Sequence, residues 1–377
     1  MADNKETFQR FGDMHREALG CINLNPLQRG GVLTDAARRT VSEWADGYSL
    51  CDFCGGCLHD IKKPPIDIFT SEVLPQFLNV DAVRVTNGAR ESKYMVMHAL
   101  CQKGDSIVVD GNAHYSTFVA AERAGLVVHE VPSSGRPAYK IYPEKYAEVL
   151  DNVKPKLAML TYPDGSYGNI PDAARIGKMC ADRGVPFMLN GAYSVGRMPV
   201  DAKALNADFV VASGHKSMAA SGPVGLLGAK KEFADIVFRK SVRFKAKEVE
   251  LLGCTARGLP IITLMASFSE VASRVKRWDD EVAKARRFAI EIGAIDGMTI
   301  LGDTPRNHDL IALESELFFK ISEKHKKGRF FLYQELKERG IVGIKPGNTR
   351  NFKISTYQLS DQELSKVIDA FKEIANL

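Results

Sequence analysis

Between residues 81 and 212 the chain repeats one pattern, and that pattern leaves few folds open. Short apolar runs, DAVRVT (81–86), SIVVD (106–110), LVVHEV (126–131), KLAMLTY (156–162), PFMLN (186–190) and DFVVA (208–212), are separated by amphipathic stretches such as STFVAAERAG and PDAARIGKMCADRG. Strands alternating with helices in this way predict a mostly parallel sheet covered on both faces. After about residue 265 the texture changes. The charged stretch SRVKRWDDEVAKARRFAIEIG reads as one helix, the strands HDLIALES and NFKISTY follow, and Ser360 with Glu363 forms a capping box for a last helix. The expected class is α/β, with a large domain over 1–265 and a smaller C-terminal α+β domain over 266–377.

Composition narrows the setting. A chain of 377 residues, 45% hydrophobic and 26% charged, has the length and balance of a globular two-domain protein. No run of about 18 apolar residues offers a membrane span. The opening MADNKETFQRFGDMHREALG lacks the apolar core of a signal peptide, so a cytoplasmic location is expected. The net charge of +5 permits a polyanionic partner without requiring one.

A parallel α/β sheet binds its ligands in the loops after its strands, and four of those loops carry unusual chemistry. Asn87-Gly88-Ala89-Arg90 is a tight turn into a helix, where free N–H groups make an anion cradle. His114 follows SIVVD and offers a ring for stacking, or a cap for the next helix. Asn190 ends an apolar strand, where its amide must find a partner. In ASGHKSMAASGPVG, Lys216 sits among small residues, which is expensive for an amine unless it is paired or uncharged. Spending the amine in a Schiff base is one way to neutralise it. A cradle, a stacking ring, a partner for a ring nitrogen and an amine together describe a pyridoxal-phosphate site.

Seven cysteines complete the inventory: Cys51, Cys54 and Cys57 in CDFCGGC, with Cys21, Cys101, Cys180 and Cys254 alone. In a long intracellular protein the C-x-x-C spacing reads as redox or metal chemistry.

These loops resemble those of fold type I pyridoxal-phosphate enzymes, close to the cysteine desulfurase branch. The segments LQRGGVLTDAAR, GYSLCDFCGG, RVTNGARESKY, TYPDGSYGNIPD, LNGAYSVGRMPV, SGHKSMAASGPVG, ELLGCTARG and KPGNTRNFKISTY resemble the archaeal O-phosphoseryl-tRNA:cysteinyl-tRNA synthases over roughly residues 24 to 375. Members of that family turn phosphoserine esterified to tRNA into cysteine in place. The resemblance implies a fold type I transferase with a sheet of the seven-stranded type, working as a homodimer. It implies pyridoxal 5'-phosphate on Lys216, with the cofactor phosphate on Ala89, Arg90, Ser213, Gly214 and His215. His114 would stack on the ring, and Asn190 would face the ring nitrogen where most such enzymes place aspartate. Cys51, Cys54 and Cys254 would handle sulfur, as a persulfide or as ligands of an iron–sulfur cluster; Cys57 is extra to the family pattern.

Arg29, Arg90 and Arg350 are candidates for the phosphoseryl phosphate, since arginine reads phosphate bidentately. The basic run from Arg239 to Lys247 is the candidate tRNA contact. Expected partners are phosphoseryl-tRNA(Cys), a sulfur donor, and a complex with the phosphoseryl-tRNA synthetase and an accessory protein. One competing expectation is a cysteine desulfurase acting on free amino acids, which would favour one mobile cysteine and a ring-nitrogen aspartate. Another is a non-catalytic scaffold, against which Lys216, His215 and His114 all count.

Overall fold

The computed structural model describes residues 14, 16, 18–46, 66–251 and 258–377. Strand β1 (Ile22–Asn23) and helices α1 (Pro26–Arg29) and α2 (Asp35–Trp44) lead into the large sheet. Its strands are β2 (Ala82–Thr86), β3 (Ser106–Asp110), β4 (Val127–Val131), β5 (Leu157–Thr161), β6 (Phe187–Asn190), β7 (Phe209–Ser213) and β8 (Gly225–Ala229), in the order β2-β8-β7-β6-β5-β3-β4. Strands β3 to β7 pair in parallel, while β8 runs antiparallel to both β2 and β7. The connecting helices are α3 (Ala89–Leu100), α4 (Tyr115–Ala124), α5 (Pro143–Val153), α6 (Ala173–Ala181), the single turn α7 (Gly214–Ser217) and α8 (Lys231–Val237).

Successive strand residues point to opposite faces, and both faces are packed. Val108, Leu160, Leu189 and Val210 enter one apolar cluster; Val109, Met159, Met188 and Val211 enter the other. The apolar runs therefore became strands because each residue has a dry side to face. Strand β8, GLLGA, is the one the alternation of the sequence hides. A Cβ on Gly225 would stand 2.5 Å from the Cα of Gly88, so a glycine is required where β8 passes under the turn after β2.

Helices α9 (Gly258–Val275) and α10 (Trp278–Gly293) lead to the second unit. There β9 (Met298–Leu301), β10 (Leu310–Ser315), α11 (Glu316–Lys324), α12 (Phe331–Glu338), β11 (Ile341–Val342), β12 (Asn351–Ser355) and α13 (Asp361–Ala375) follow in turn. Strands β12-β10-β9 form an antiparallel sheet, and β1 pairs with β11. The Ser360–Glu363 capping box is present at the start of α13.

Two details differ from the sequence reading. The charged stretch expected as one helix is broken at Lys276–Arg277, because Asp279, Asp280 and Glu281 favour a helix N-terminus at Trp278. Residue 265 lies inside α9, whose Ile261, Ile262, Leu264 and Val271 pack in the large core, whereas Ile22 and Leu24 pack in the core of the second unit. Among the described residues no helix is long and apolar enough to cross a membrane.

Candidate active site

Strand register gathers the chemistry at one edge of the sheet. Thr161 pairs with Asn190 and Asn190 with Val211, while Thr86, Gly225 and Ser213 lie in one row. The loops beyond these residues enclose a cavity of about 200 Å³ lined by Gly88, Ala89, Arg90, Lys93, His114, Tyr115, Thr161, Asn190, Tyr193, Ser213, His215 and Lys216. No carboxylate lines it among the described residues.

On one side is the start of α3. Gly88 has φ +121, a conformation that residues with a Cβ rarely adopt, and the helix has no side-chain cap. The first N–H groups therefore face the cavity unpaired within the helix. On the other side Ser213 Oγ lies 3.3 Å from His215 Nε2, and the other ring nitrogen of His215 lies 3.1 Å from the Val224 carbonyl oxygen. Burial is the largest cause holding the His215 pKa below the usual histidine range.

Lys216 stands in the one-turn helix α7, and backbone packs directly against that turn. A Cβ on Gly30 would lie 2.5 Å from the Lys216 carbonyl oxygen, and one on Gly31 would lie 2.2 Å from that of His215. The two glycines of LQRGG are thus explained by close approach. Arg197, fully buried, donates to the carbonyls of Pro26 (2.7 Å) and Lys216 (3.2 Å) and pairs with buried Asp309 at 2.8 Å. Removing one partner of such a buried pair typically costs about 3–5 kcal/mol. Arg197 therefore ties the N-terminal segment, the Lys216 turn and the second unit into one knot. The Lys216 Nζ is 5.0 Å from the centre of the Tyr193 ring, and its pKa is lowered by burial first, then by the charges of Arg197 and Lys353.

Asn190 is buried, and its Oδ1 has no hydrogen-bond partner among the described residues. An orphaned buried acceptor costs about 1–3 kcal/mol unless a ligand donor meets it. His114 plays both parts weighed from the sequence. Its Nδ1 accepts the Ser116 N–H at the start of α4, and the same ring lines the cavity. That bond leaves the ring proton on Nε2. Burial, followed by Lys216 and Lys93, pushes its pKa down to about 4, so the ring is neutral at pH 7.

Lys93 escaped the sequence reading. It is 1% exposed, donates to Ser116 Oγ (2.7 Å) and Thr117 Oγ1 (3.0 Å), and burial leads Lys216 in lowering its pKa to about 7. The available signal was its place one turn after Ala89, on the same helix face as the cradle. Arg197 and Tyr193 were missed as well, because their roles depend on contacts far apart in sequence.

The remaining candidates are spread out. Arg90 lies on the cavity rim, 5.7 Å from the Tyr115 ring centre. Gly214 is buried within α7 and does not line the cavity. Arg29 turns its Nε to the Tyr357 carbonyl at 2.6 Å, and Arg350 pairs with Glu316 at 2.8 Å; neither lines the cavity. In the basic run, Arg239 pairs with Glu250 and Lys240 with Glu248. Cys51, Cys54, Cys57 and Cys254 lie outside the described residues, so the structure gives no ligand set for a cluster. Burial raises the thiol pKa of Cys101 to about 11 and of Cys180 to about 12.

The chain is 56% identical to the O-phospho-L-seryl-tRNA:Cys-tRNA synthase of Methanosarcina acetivorans over 380 aligned residues, covering 99% of this chain and 98% of that protein. It is 53% identical to the enzyme of the same name from Methanothermobacter thermautotrophicus, over 94% of both proteins. The chain belongs to the O-phospho-L-seryl-tRNA:Cys-tRNA synthase family. As a member of it, the chain is an enzyme. Residues 80–376 also match the family model described as O-phosphoseryl-tRNA(Sec) selenium transferase, SepSecS. A crystal structure of a SepCysS–SepCysE N-terminal domain complex is 47% identical, with a TM-score of 0.91 over 100% of this chain and 99% of that one. A cysteine desulfurase from Thermococcus onnurineus, at 16% identity and TM-score 0.74 over 94% of this chain and 95% of its own, shares the fold. The architecture is that of the fold type I pyridoxal-phosphate enzymes.

Proposed function

We propose that the enzyme converts phosphoserine on tRNA(Cys) to cysteine on the same tRNA, in the cytoplasm, using pyridoxal 5'-phosphate at Lys216. The observation that carries the reading is a half-buried lysine, its pKa lowered, in a cavity that no carboxylate lines among the described residues, opposite an uncapped helix start. The names of the relatives supply the substrate.

The residues present fit the cofactor. The N–H groups of Ala89 and Arg90 with Ser213 and His215 would hold its phosphate, His114 would cover its ring, and the Asn190 amide would meet its ring nitrogen. When bound, the cofactor supplies an aldehyde carbon that takes an amine and a ring that withdraws electrons from the substrate Cα. Lys216 Nζ would hold the cofactor and, when free of it, would be the base placed to take the substrate Cα proton. Tyr193 and the Arg197 knot orient that amine. A neutral asparagine beside the ring nitrogen moderates electron withdrawal, which suits loss of phosphate together with the proton. Arg90 would meet the departing phosphate as a cation.

Sulfur arrives as the outer sulfur of a persulfide on one of Cys51, Cys54 and Cys254. The C–O bond to phosphate breaks and a C–S bond forms. A second cysteine thiolate then cuts the S–S bond, so an enzyme disulfide remains and an external thiol must reduce it. The enzyme would work as a homodimer, with an accessory protein like the one in the related complex and with the phosphoseryl-tRNA synthetase.

Incubation with phosphoseryl-tRNA(Cys), inorganic polysulfide as the donor of persulfide-level sulfur, and a thiol reductant to reopen the enzyme disulfide tests the reading. Cysteinyl-tRNA is expected, with free phosphoserine a poor substrate because it lacks the binding energy of the RNA. Equal rates on free phosphoserine would return the enzyme to small-molecule chemistry.

A further inference from the structure

The reaction cavity does not end at Lys216. A second, larger groove of about 640 Å³ continues from it, sharing His114, Gly165 and Tyr193, and runs out between the two units of the fold to Lys345, Asn348, Asn351 and Lys353. Ligand sites commonly enclose about 300–1,000 Å³, so the groove can take a whole ligand group. Like the cavity, it is lined by no carboxylate among the described residues.

Its most distinctive wall is aromatic. The rings of Tyr139 and Tyr167 are stacked, with centres 3.8 Å apart and planes 4° from parallel. Both residues are half-buried and both face the groove. The backbone is committed to holding them there. Tyr139 has φ +48, the left-handed region that bulky residues avoid, and its carbonyl accepts from Asn112 Nδ2 (2.7 Å) and Asn169 Nδ2 (3.0 Å). The Asp164 carboxylate accepts the N–H groups of Ser166, Tyr167 and Asn169. The buried Arg306 guanidinium donates to the carbonyls of Tyr167, Gly168 and Leu310. Conformations of this kind persist where the surroundings over-determine them, and they gather at ligand sites.

We propose that this groove holds the 3'-terminal nucleotide of the phosphoserine-carrying tRNA, its base against the Tyr139–Tyr167 pair and its phosphate facing Lys345 and Lys353. The inference rests on the substrate reading above. An ester links the amino acid directly to the terminal ribose, so the nucleotide must lie in whatever space adjoins the reaction cavity. A free amino acid would leave the groove without an occupant. Aromatic faces accept any base, and exposed lysines meet a phosphodiester. Lys353 spends one donor on the Gly165 carbonyl at 2.8 Å and keeps two. That bond also fixes the loop at the junction of cavity and groove.

The test uses the cofactor-loaded enzyme with tRNA(Cys) carrying 2-aminopurine at its 3' end, and separately with phosphoseryl-tRNA(Cys). In the wild type the fluorescence of the terminal base should fall on binding. In Tyr167→Leu that quenching should disappear and kcat/KM for phosphoseryl-tRNA should drop on the order of tenfold to a hundredfold. Cofactor affinity should stay at the wild-type value. Tyr167→Phe, which keeps the stacked ring, should quench and turn over like the wild type. Lys345→Gln should shallow the dependence of log Kd on log salt by about one. Unchanged quenching in Tyr167→Leu would overturn the inference. So would a fall in cofactor affinity that accounts for the lost activity, since the tyrosines would then only brace the cavity. Failure of Tyr167→Phe alongside Tyr167→Leu would also count against it. If the wild type forms no cysteinyl-tRNA at all, the substrate reading itself fails and takes this inference with it.

Discussion

Two clusters of basic side chains in this enzyme have opposite fates. Beside the basic run, Arg84 and Lys240 meet Glu248 while Arg239 and His98 meet Glu250, and both carboxylates are essentially inaccessible to water. Around the reaction cavity, Arg90, Lys93 and Lys216 share one lining in which no carboxylate stands among the described residues. Among the described residues the side-chain partners of Lys93 are two hydroxyls, and Asp110 is the nearby carboxyl that opposes its pKa depression. In the first cluster Arg84, Arg239 and Lys240 are each paired with a carboxylate. In the second, burial and like charge depress the lysines, which is a cost that folding alone would not retain. The uncompensated cluster is therefore the one that expects an anion and an electrophile.

The largest test of that contrast is Lys216→Ala. Turnover of phosphoseryl-tRNA should fall on the order of 10⁴-fold, the upper range for loss of a positioned base, while thermal stability holds or rises because a depressed lysine has gone. A variant that kept its activity would erase the distinction between the two clusters. Glu250→Gln probes the other side. It should lower stability by about 1.5–3 kcal/mol, the worth of hydrogen bonds to a charged group, and leave kcat/KM for phosphoseryl-tRNA unchanged. Denaturant titration and steady-state kinetics on one preparation would check both halves.

Lys93 sharpens the comparison through pH. Its pKa in the folded enzyme, about 7, lies below the ordinary 10.5. The folded state thus binds fewer protons than the unfolded one between those values, and stability rises with pH across that window. Lys93→Met lacks this rise. Between pH 6.5 and 8.5 the stability difference between the two proteins should move by about 2 kcal/mol in favour of the wild type. A constant difference would mean that Lys93 is compensated after all. The smallest effect is expected for Arg350→Ala, since Arg350 forms an exposed pair with Glu316 away from the cavity. Stability should change by less than about 1 kcal/mol, and kcat/KM by less than about twofold.

The contrast also shows what could be read in the sequence. Ala89, Arg90, His114, Asn190, Ser213, His215 and Lys216 all line one cavity, and all could be named because each ends or follows an apolar run that had to be a strand. Local pattern places a strand end, and parallel topology brings strand ends together. Lys93 and Arg197 were not legible. One owes its depressed amine to what packs on the inner side of α3, and the other is decided by Asp309, which lies 112 positions away. Strand β8 was hidden by the glycines that let it pass close to Gly88. In the basic run the charge was visible in the sequence, whereas the pairing of Arg239 with Glu250 and of Lys240 with Glu248 was not. The texture change near residue 265 marked a shift in composition, whereas packing carries α9 into the large core.

The most direct measurement is to load the enzyme with pyridoxal 5'-phosphate, reduce it with borohydride and map the modified peptide by mass spectrometry. The account predicts one adduct per protomer, on the peptide carrying Lys216, with no adduct in Lys216→Ala. Adduct on Lys93, or spread over exposed lysines at equal yield, would contradict it.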